Sequence, residues 1–201
     1  MSVSAVARAP VVLIATDVFG HTAAVDGLVR QLGQPALIVS PFEDSSRHFV
    51  SEQEAYQAFL AEGGIARFAD KLAAAQLAHA DSLRYAIGFS AGASALWVNA
   101  EHSMMSGLRQ MVLFYGSRIR EYRQLQPLCP VRLIFAEQEA AFSPTELVQD
   151  LQRRGHQAEL LKGSKHGFMN VYSRGSCVKS QARYGDELYR MMQDTGIADA
   201  A

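Results

Sequence analysis

Six short runs of apolar, often β-branched residues recur along the chain, at 11–15, 36–39, 85–88, 111–115, 131–135 and 158–161. Each is apolar nearly throughout instead of alternating with polar positions, which is the pattern of strands covered on both faces, as in a parallel sheet. Longer stretches with helical patterning separate them, at 23–32, 52–77, 91–102, 144–154 and 181–194. Gly33 and Pro35, Pro41, Pro130 and Gly155 fall between elements, and Gly63-Gly64 interrupts the long helical region. The pattern predicts an α/β protein, a mostly parallel sheet of about six strands with helices on both faces. No repeat, low-complexity tract or linker divides it, so residues 1–201 are expected to form one domain.

Ligands of open parallel sheets bind outside the carboxyl ends of the strands, so the residues just after each apolar run are the first candidates for chemistry. After the third run stands Gly88-Phe89-Ser90-Ala91-Gly92, a G-x-S-x-G pentapeptide leading from a strand into a helix. A serine on so tight a turn sits in strained backbone with its hydroxyl pointing outward, and small flanking residues let strand and helix approach. Read blandly, Ser90 is only an N-cap. A serine nucleophile needs a base and a group to orient it. Lys165-His166-Gly167-Phe168 follows the sixth run and offers His166 as base, with Phe168 to anchor its loop. After the fifth run, Phe135-Ala136-Glu137-Gln138-Glu139 offers Glu139 as the orienting acid, with Glu137 as the alternative. The order nucleophile, acid, histidine is that of α/β-hydrolases.

The segment after the first run, Thr16-Asp17-Val18-Phe19-Gly20-His21-Thr22, reads in more than one way. In a hydrolase the Val18 N–H joins the Ala91 N–H to bind an oxyanion. In a flavodoxin-like protein Thr16, Gly20 and Thr22 cradle the phosphate of FMN. An ordinary turn with Thr22 as N-cap is the plainest reading. Tyr115 and Arg118 follow the fourth run, where a guanidinium can hold an anionic group or simply pair with Glu121. Trp97 and the methionines read as core.

Composition narrows the class. Nineteen Lys and Arg face 20 Asp and Glu, for a net charge of −1 without long runs of one sign, so nucleic acid and membrane surfaces are poor partners. With 49% hydrophobic and 19% charged residues the chain has the apolar content for a core. Cys129 and Cys177 are too few for a disulfide framework and fit a reducing cytoplasm. The apolar stretch near the amino terminus is too short for a signal peptide, and no transmembrane run is expected. The expected partner is a small-molecule substrate, with no cofactor and no metal, and the chain a monomer or homodimer.

Together these motifs resemble the dienelactone hydrolase family of α/β-hydrolases: Asp17-Val18-Phe19-Gly20, Gly88-Phe89-Ser90-Ala91-Gly92-Ala93, Phe114-Tyr115-Gly116, Glu139 and His166-Gly167-Phe168. The resemblance spans residues 11–168. It implies a three-layer α/β-hydrolase-like sandwich and hydrolysis of an ester, thioester or lactone through a covalent acyl-enzyme. The name-giving members carry cysteine and aspartate where this chain has Ser90 and Glu139, which implies a mechanism closer to that of a serine esterase. A glutamate in those members stands at the place of Asp17. An arginine that grips the substrate carboxylate stands at the place of Asn170. Asp17, Tyr115, Arg118 and Asn170 are therefore the candidate substrate-binding residues. A non-catalytic scaffold of the same fold is the remaining alternative.

Overall fold

The computed structural model describes residues 9–44 and 47–193. Strands β1 (Val12–Ala15), β2 (Ala36–Val39), β3 (Tyr85–Phe89), β4 (Gln110–Phe114), β5 (Val131–Gln138) and β6 (Gln157–Lys165) form one sheet in the order β2-β1-β3-β4-β5-β6, parallel throughout. Each apolar run of the sequence is a strand. Alternate residues of β1 show why the runs are continuous: Leu13 and Ala15 enter the core on one face of the sheet, Val12 and Ile14 the core on the other. The helices that cover those faces are α1 (Ala23–Leu32), α2 (Glu52–Ala61), α3 (Gly64–Ala78), α4 (Ala91–Val98), α5 (Pro144–Arg153) and α6 (Val178–Gln193). Helices α1 and α6 pack together on the Val12 and Ile14 face, and α2 to α5 bury Phe59, Leu72, Leu96 and Leu151 in the core of the opposite one.

The long helical region at 52–77 is two helices, because Gly63 and Gly64 both adopt positive φ, at 97° and 62°, and turn the chain between α2 and α3. The elbow helix ends at Val98 instead of 102, and the chain passes through a short 3₁₀ turn, Ser103–Gly107, to β4. Strands β5 and β6 run further than their apolar residues indicate. Their carboxyl ends carry the exposed residues Glu137, Gln138, Lys162 and Lys165, with a register irregularity between Ala136 and Gln138. The register then pairs Gln138 with Lys165, which sets Glu139 and His166, the first residue after each strand, beside one another. Ser90 and Tyr115 become neighbours in the same manner, since Phe89 pairs with Phe114.

Candidate active site

The turn between β3 and α4 holds Ser90 at φ 49° and ψ −108°, a conformation that costs a non-glycine residue on the order of 1–3 kcal/mol. Its neighbours make the turn possible. A Cβ on Gly92 would collide with the Ala15 carbonyl oxygen, and one on Gly88 would lie 2.8 Å from the Ala93 nitrogen. The Ser90 N–H donates to the Phe114 carbonyl at 2.9 Å, which locks the turn to β4. The Ser90 side chain caps nothing, although it stands at the N-cap position of α4.

Its hydroxyl instead lies 2.8 Å from His166 Nε2, and His166 Nδ1 lies 2.7 Å from Glu139 Oε1. A carboxylate only accepts hydrogen bonds, so Nδ1 carries the hydrogen and Nε2 is left as acceptor for the serine hydroxyl. Three residues from separate loops thus form one relay. Burial works against protonation of the imidazole, but the hydrogen bond and charge of Glu139, joined by Glu52 and Asp17, outweigh it and hold the His166 pKa above the ordinary 6.5. Glu137 is directed elsewhere: its carboxylate accepts from the Gly163 N–H at 2.8 Å.

The His166 loop is pinned from behind. Phe168 is fully buried and packs edge-on to Tyr115 with ring centroids 4.9 Å apart, and the Tyr115 ring meets the imidazole at 5.0 Å. Burying a phenylalanine this completely stabilises by about 1.5–3 kcal/mol, enough to fix a short loop.

Asp17 organises the turn after β1. Its Oδ1 accepts from the Phe19 N–H at 2.9 Å and its Oδ2 from Asn170 Nδ2 at 2.5 Å, so the buried pair ties the Val18 loop to the His166 loop. Burial raises the Asp17 pKa despite these donors. The polar atoms of Asp17 and Asn170 are committed to each other and to nearby backbone, and Asn170 Oδ1 accepts from the Tyr172 N–H. Val18 and Ala91 line the same pocket as Ser90. Among the described residues neither of their backbone N–H groups has an acceptor. For Ala91 this follows from its place in the first turn of α4, where no preceding carbonyl can reach it.

The pocket before Ser90, about 150 Å³, has a roof the sequence does not reveal. Glu52, Tyr56 and Phe59 of α2 and Ile65 of α3 line it with Arg118. Glu52 is placed by an ordinary helix start, in which Ser51 accepts from the Glu54 N–H. The one sequence signal for such a roof is an aromatic left partly exposed on a helix, as Tyr56 is. Arg118 donates to Glu121 at 2.8 Å and to the Tyr56 hydroxyl at 3.4 Å.

Thr22 stands at the N-cap of α1 without a side-chain cap, and the sheet order is one that flavodoxin-like proteins share, so neither feature separates the readings of the 16–22 segment. Comparison with known proteins does. The model of the dienelactone hydrolase family matches residues 1–193. The chain belongs to the dienelactone hydrolase family. Membership places it among ester and lactone hydrolases and sets the FMN alternative aside. It is 28% identical over 167 residues to the uncharacterized protein YczH of Bacillus subtilis, covering 80% of this chain and 81% of the relative. A solved structure from Klebsiella pneumoniae, assigned to the dienelactone hydrolases, aligns with a TM-score of 0.67 at 17% identity, over 94% of this chain and 88% of the other. A dienelactone hydrolase-like promiscuous phosphotriesterase from metagenomic libraries aligns at 0.66 and 16%, over 92% and 86%. These likenesses show the α/β-hydrolase fold. Among the described residues no helix is long and apolar enough to cross a membrane.

Proposed function

We propose that the protein is a serine hydrolase that cleaves a small, uncharged ester, thioester or lactone through an acyl-serine intermediate. The observation that carries this reading is the continuous relay Ser90 Oγ, His166 Nε2, His166 Nδ1, Glu139 Oε1 at 2.8 and 2.7 Å. Ser90 Oγ attacks the carbonyl carbon while His166 takes the hydroxyl proton, and Glu139 steadies the imidazolium. The Val18 and Ala91 N–H groups receive the oxyanion, each such donor contributing about 10²–10³ in rate. Collapse of the tetrahedral intermediate expels the alcohol or thiol, which leaves with the proton from His166. Water, deprotonated by the same imidazole, then attacks the acyl-serine and releases the acid. In a lactone the leaving oxygen stays attached and the product is a hydroxy acid.

The pocket supports the choice of a small, neutral acyl group. Phe59 and Ile65 give it apolar walls, and its volume is below the roughly 300–1,000 Å³ of sites for larger ligands. Arg118 is paired with Glu121, and Glu52 adds a negative charge near His166. Cys129 and Cys177 are free thiols, consistent with work in the cytoplasm. Ser90→Ala is expected to lower turnover of p-nitrophenyl butyrate by about 10⁴ or more and to abolish labelling by a fluorophosphonate, read by steady-state kinetics and intact mass. Turnover within tenfold of wild type would refute the serine mechanism.

A further inference from the structure

Three spaces adjoin His166, and they differ in what closes them. The pocket of about 150 Å³ lies over the elbow, walled by Ala91, Ser94 and Ser117 and roofed by α2. A groove of about 660 Å³ lies open between Glu52 and the ends of β5 and β6, walled by Gln138, Glu139, Lys165, Ser173 and Arg174. A narrow space shares Ser90 with the pocket and Ser173 with the groove, and Glu52 and His166 line all three. Glu52, Tyr56 and Phe59 stand about a turn apart on one face of α2, so the pocket runs along the helix from Glu52 toward Phe59, away from the groove. Phe59 is only 3% exposed and packs edge-on against Phe68 of α3, so core closes that end. The groove has no such wall, because Gln138, Ala140, Lys165 and Arg174 along it are exposed.

The proposed chemistry orients a substrate between them. Val18 and Ala91, whose N–H groups would receive the oxyanion, line the pocket with Ser90, which sets the reacting carbonyl there. When the bond to the leaving group breaks, its oxygen or sulfur takes the proton from His166 Nε2, so the leaving group stands on the His166 side of the carbonyl carbon. That side is the groove: Lys165, the chain neighbour of His166, and Glu139, its hydrogen-bond partner, line the groove and not the pocket. We propose that the two chambers divide the substrate. The acyl chain enters the closed pocket, where Phe59 limits its length, and the alcohol or thiol lies in the groove, where its size is not limited. The inference rests on the hydrolytic reading and names the substrate class within it: esters or thioesters of a short-chain acid whose leaving group can be long.

The test compares kcat/KM ratios within each protein, which a change in the folded fraction does not alter. One ratio is p-nitrophenyl octanoate to p-nitrophenyl butyrate. The other is 2-methoxyethyl butyrate to the same ester lengthened by two ethylene glycol units, whose alcohols leave equally well. In the unaltered chain octanoate should fall at least about tenfold below butyrate, and the two glycol esters should agree within about threefold. Phe59→Ala should raise the octanoate ratio about tenfold and leave the glycol ratio unchanged. Ile65→Ala, at a partly buried position and so easier on the fold, should move the octanoate ratio in the same direction. Ala140→Trp, which narrows the groove, should disfavour the longer glycol ester about tenfold and leave the octanoate ratio alone. Octanoate turned over as well as butyrate, a longer glycol ester rejected by the unaltered chain, or an octanoate ratio unmoved by both truncations would each overturn the division while Ser90-dependent turnover stands. Turnover that persists in Ser90→Ala would instead remove the hydrolytic reading, and the division with it.

Discussion

His166 carries opposing influences that, in the proposed mechanism, would set the working pH. Burial favours the neutral ring, yet Glu139, Glu52 and Asp17 raise its pKa above 6.5. The base must be neutral to accept the Ser90 proton, so activity should rise with pH through a midpoint above that value. Glu139→Gln removes the largest raising influence. It should move the acid limb of kcat/KM to lower pH and lower kcat by about 10²–10⁴, measured as a pH–rate profile of both proteins. The same shift affects folding. A histidine whose pKa is raised in the folded state stabilises the fold most below its unfolded value, and that contribution fades as pH rises through the folded pKa. The protonated form that favours the fold is therefore the form that cannot act as base. That Ser90, Glu139 and His166 lie near one another was legible because each follows an apolar run at a strand end. The choice of Glu139 over Glu137 was not, because it depends on a register irregularity that leaves no mark in composition.

The β3–α4 turn and the α2–α3 roof differ in how much of them a sequence can carry. The turn is specified by its small residues. Gly92→Ala would press a methyl group into the Ala15 carbonyl oxygen, which is backbone of a strand paired on both sides and cannot yield. A loss of at least about 1–3 kcal/mol is expected, read as a lower midpoint in urea unfolding, together with lost activity. An unchanged midpoint would show that the turn is looser than described. The roof has no such signature, because Glu52 and Tyr56 look like residues on the wet face of a helix, and only the turn at Gly63 and Gly64 brings α2 and α3 over Ser90. Glu52→Gln should raise kcat/KM for the p-nitrophenyl monoester of succinate about fivefold relative to p-nitrophenyl butyrate, the effect of removing about 1 kcal/mol of repulsion between two charges in contact with water. An unchanged ratio would show that Glu52 does not act on the substrate's charge.

At the scale of the molecule, six parallel strands deliver five loops, those after β1, β3, β4, β5 and β6, to the carboxyl end of the sheet, and the candidate site is their meeting point. That architecture was legible because strands buried on both faces must be apolar throughout, a constraint that composition cannot disguise. The order of the strands was not, since apolar runs of similar length can be arranged in several orders with equal burial. The polar ends of β5 and β6 also escaped notice, and with them the pairing that sets Glu139 beside His166. Asp17 and Tyr115 line both the space beside Ser90 and the cavity beside α1, an arrangement visible only when the loops are assembled. The account as a whole stands on a covalent intermediate at Ser90. Rapid acid quenching of the protein during p-nitrophenyl butyrate turnover, followed by intact-mass and peptide analysis, should show one butyryl group on the peptide that contains Ser90. Steady turnover with no acylated protein, or with the acyl group on another residue, would contradict it.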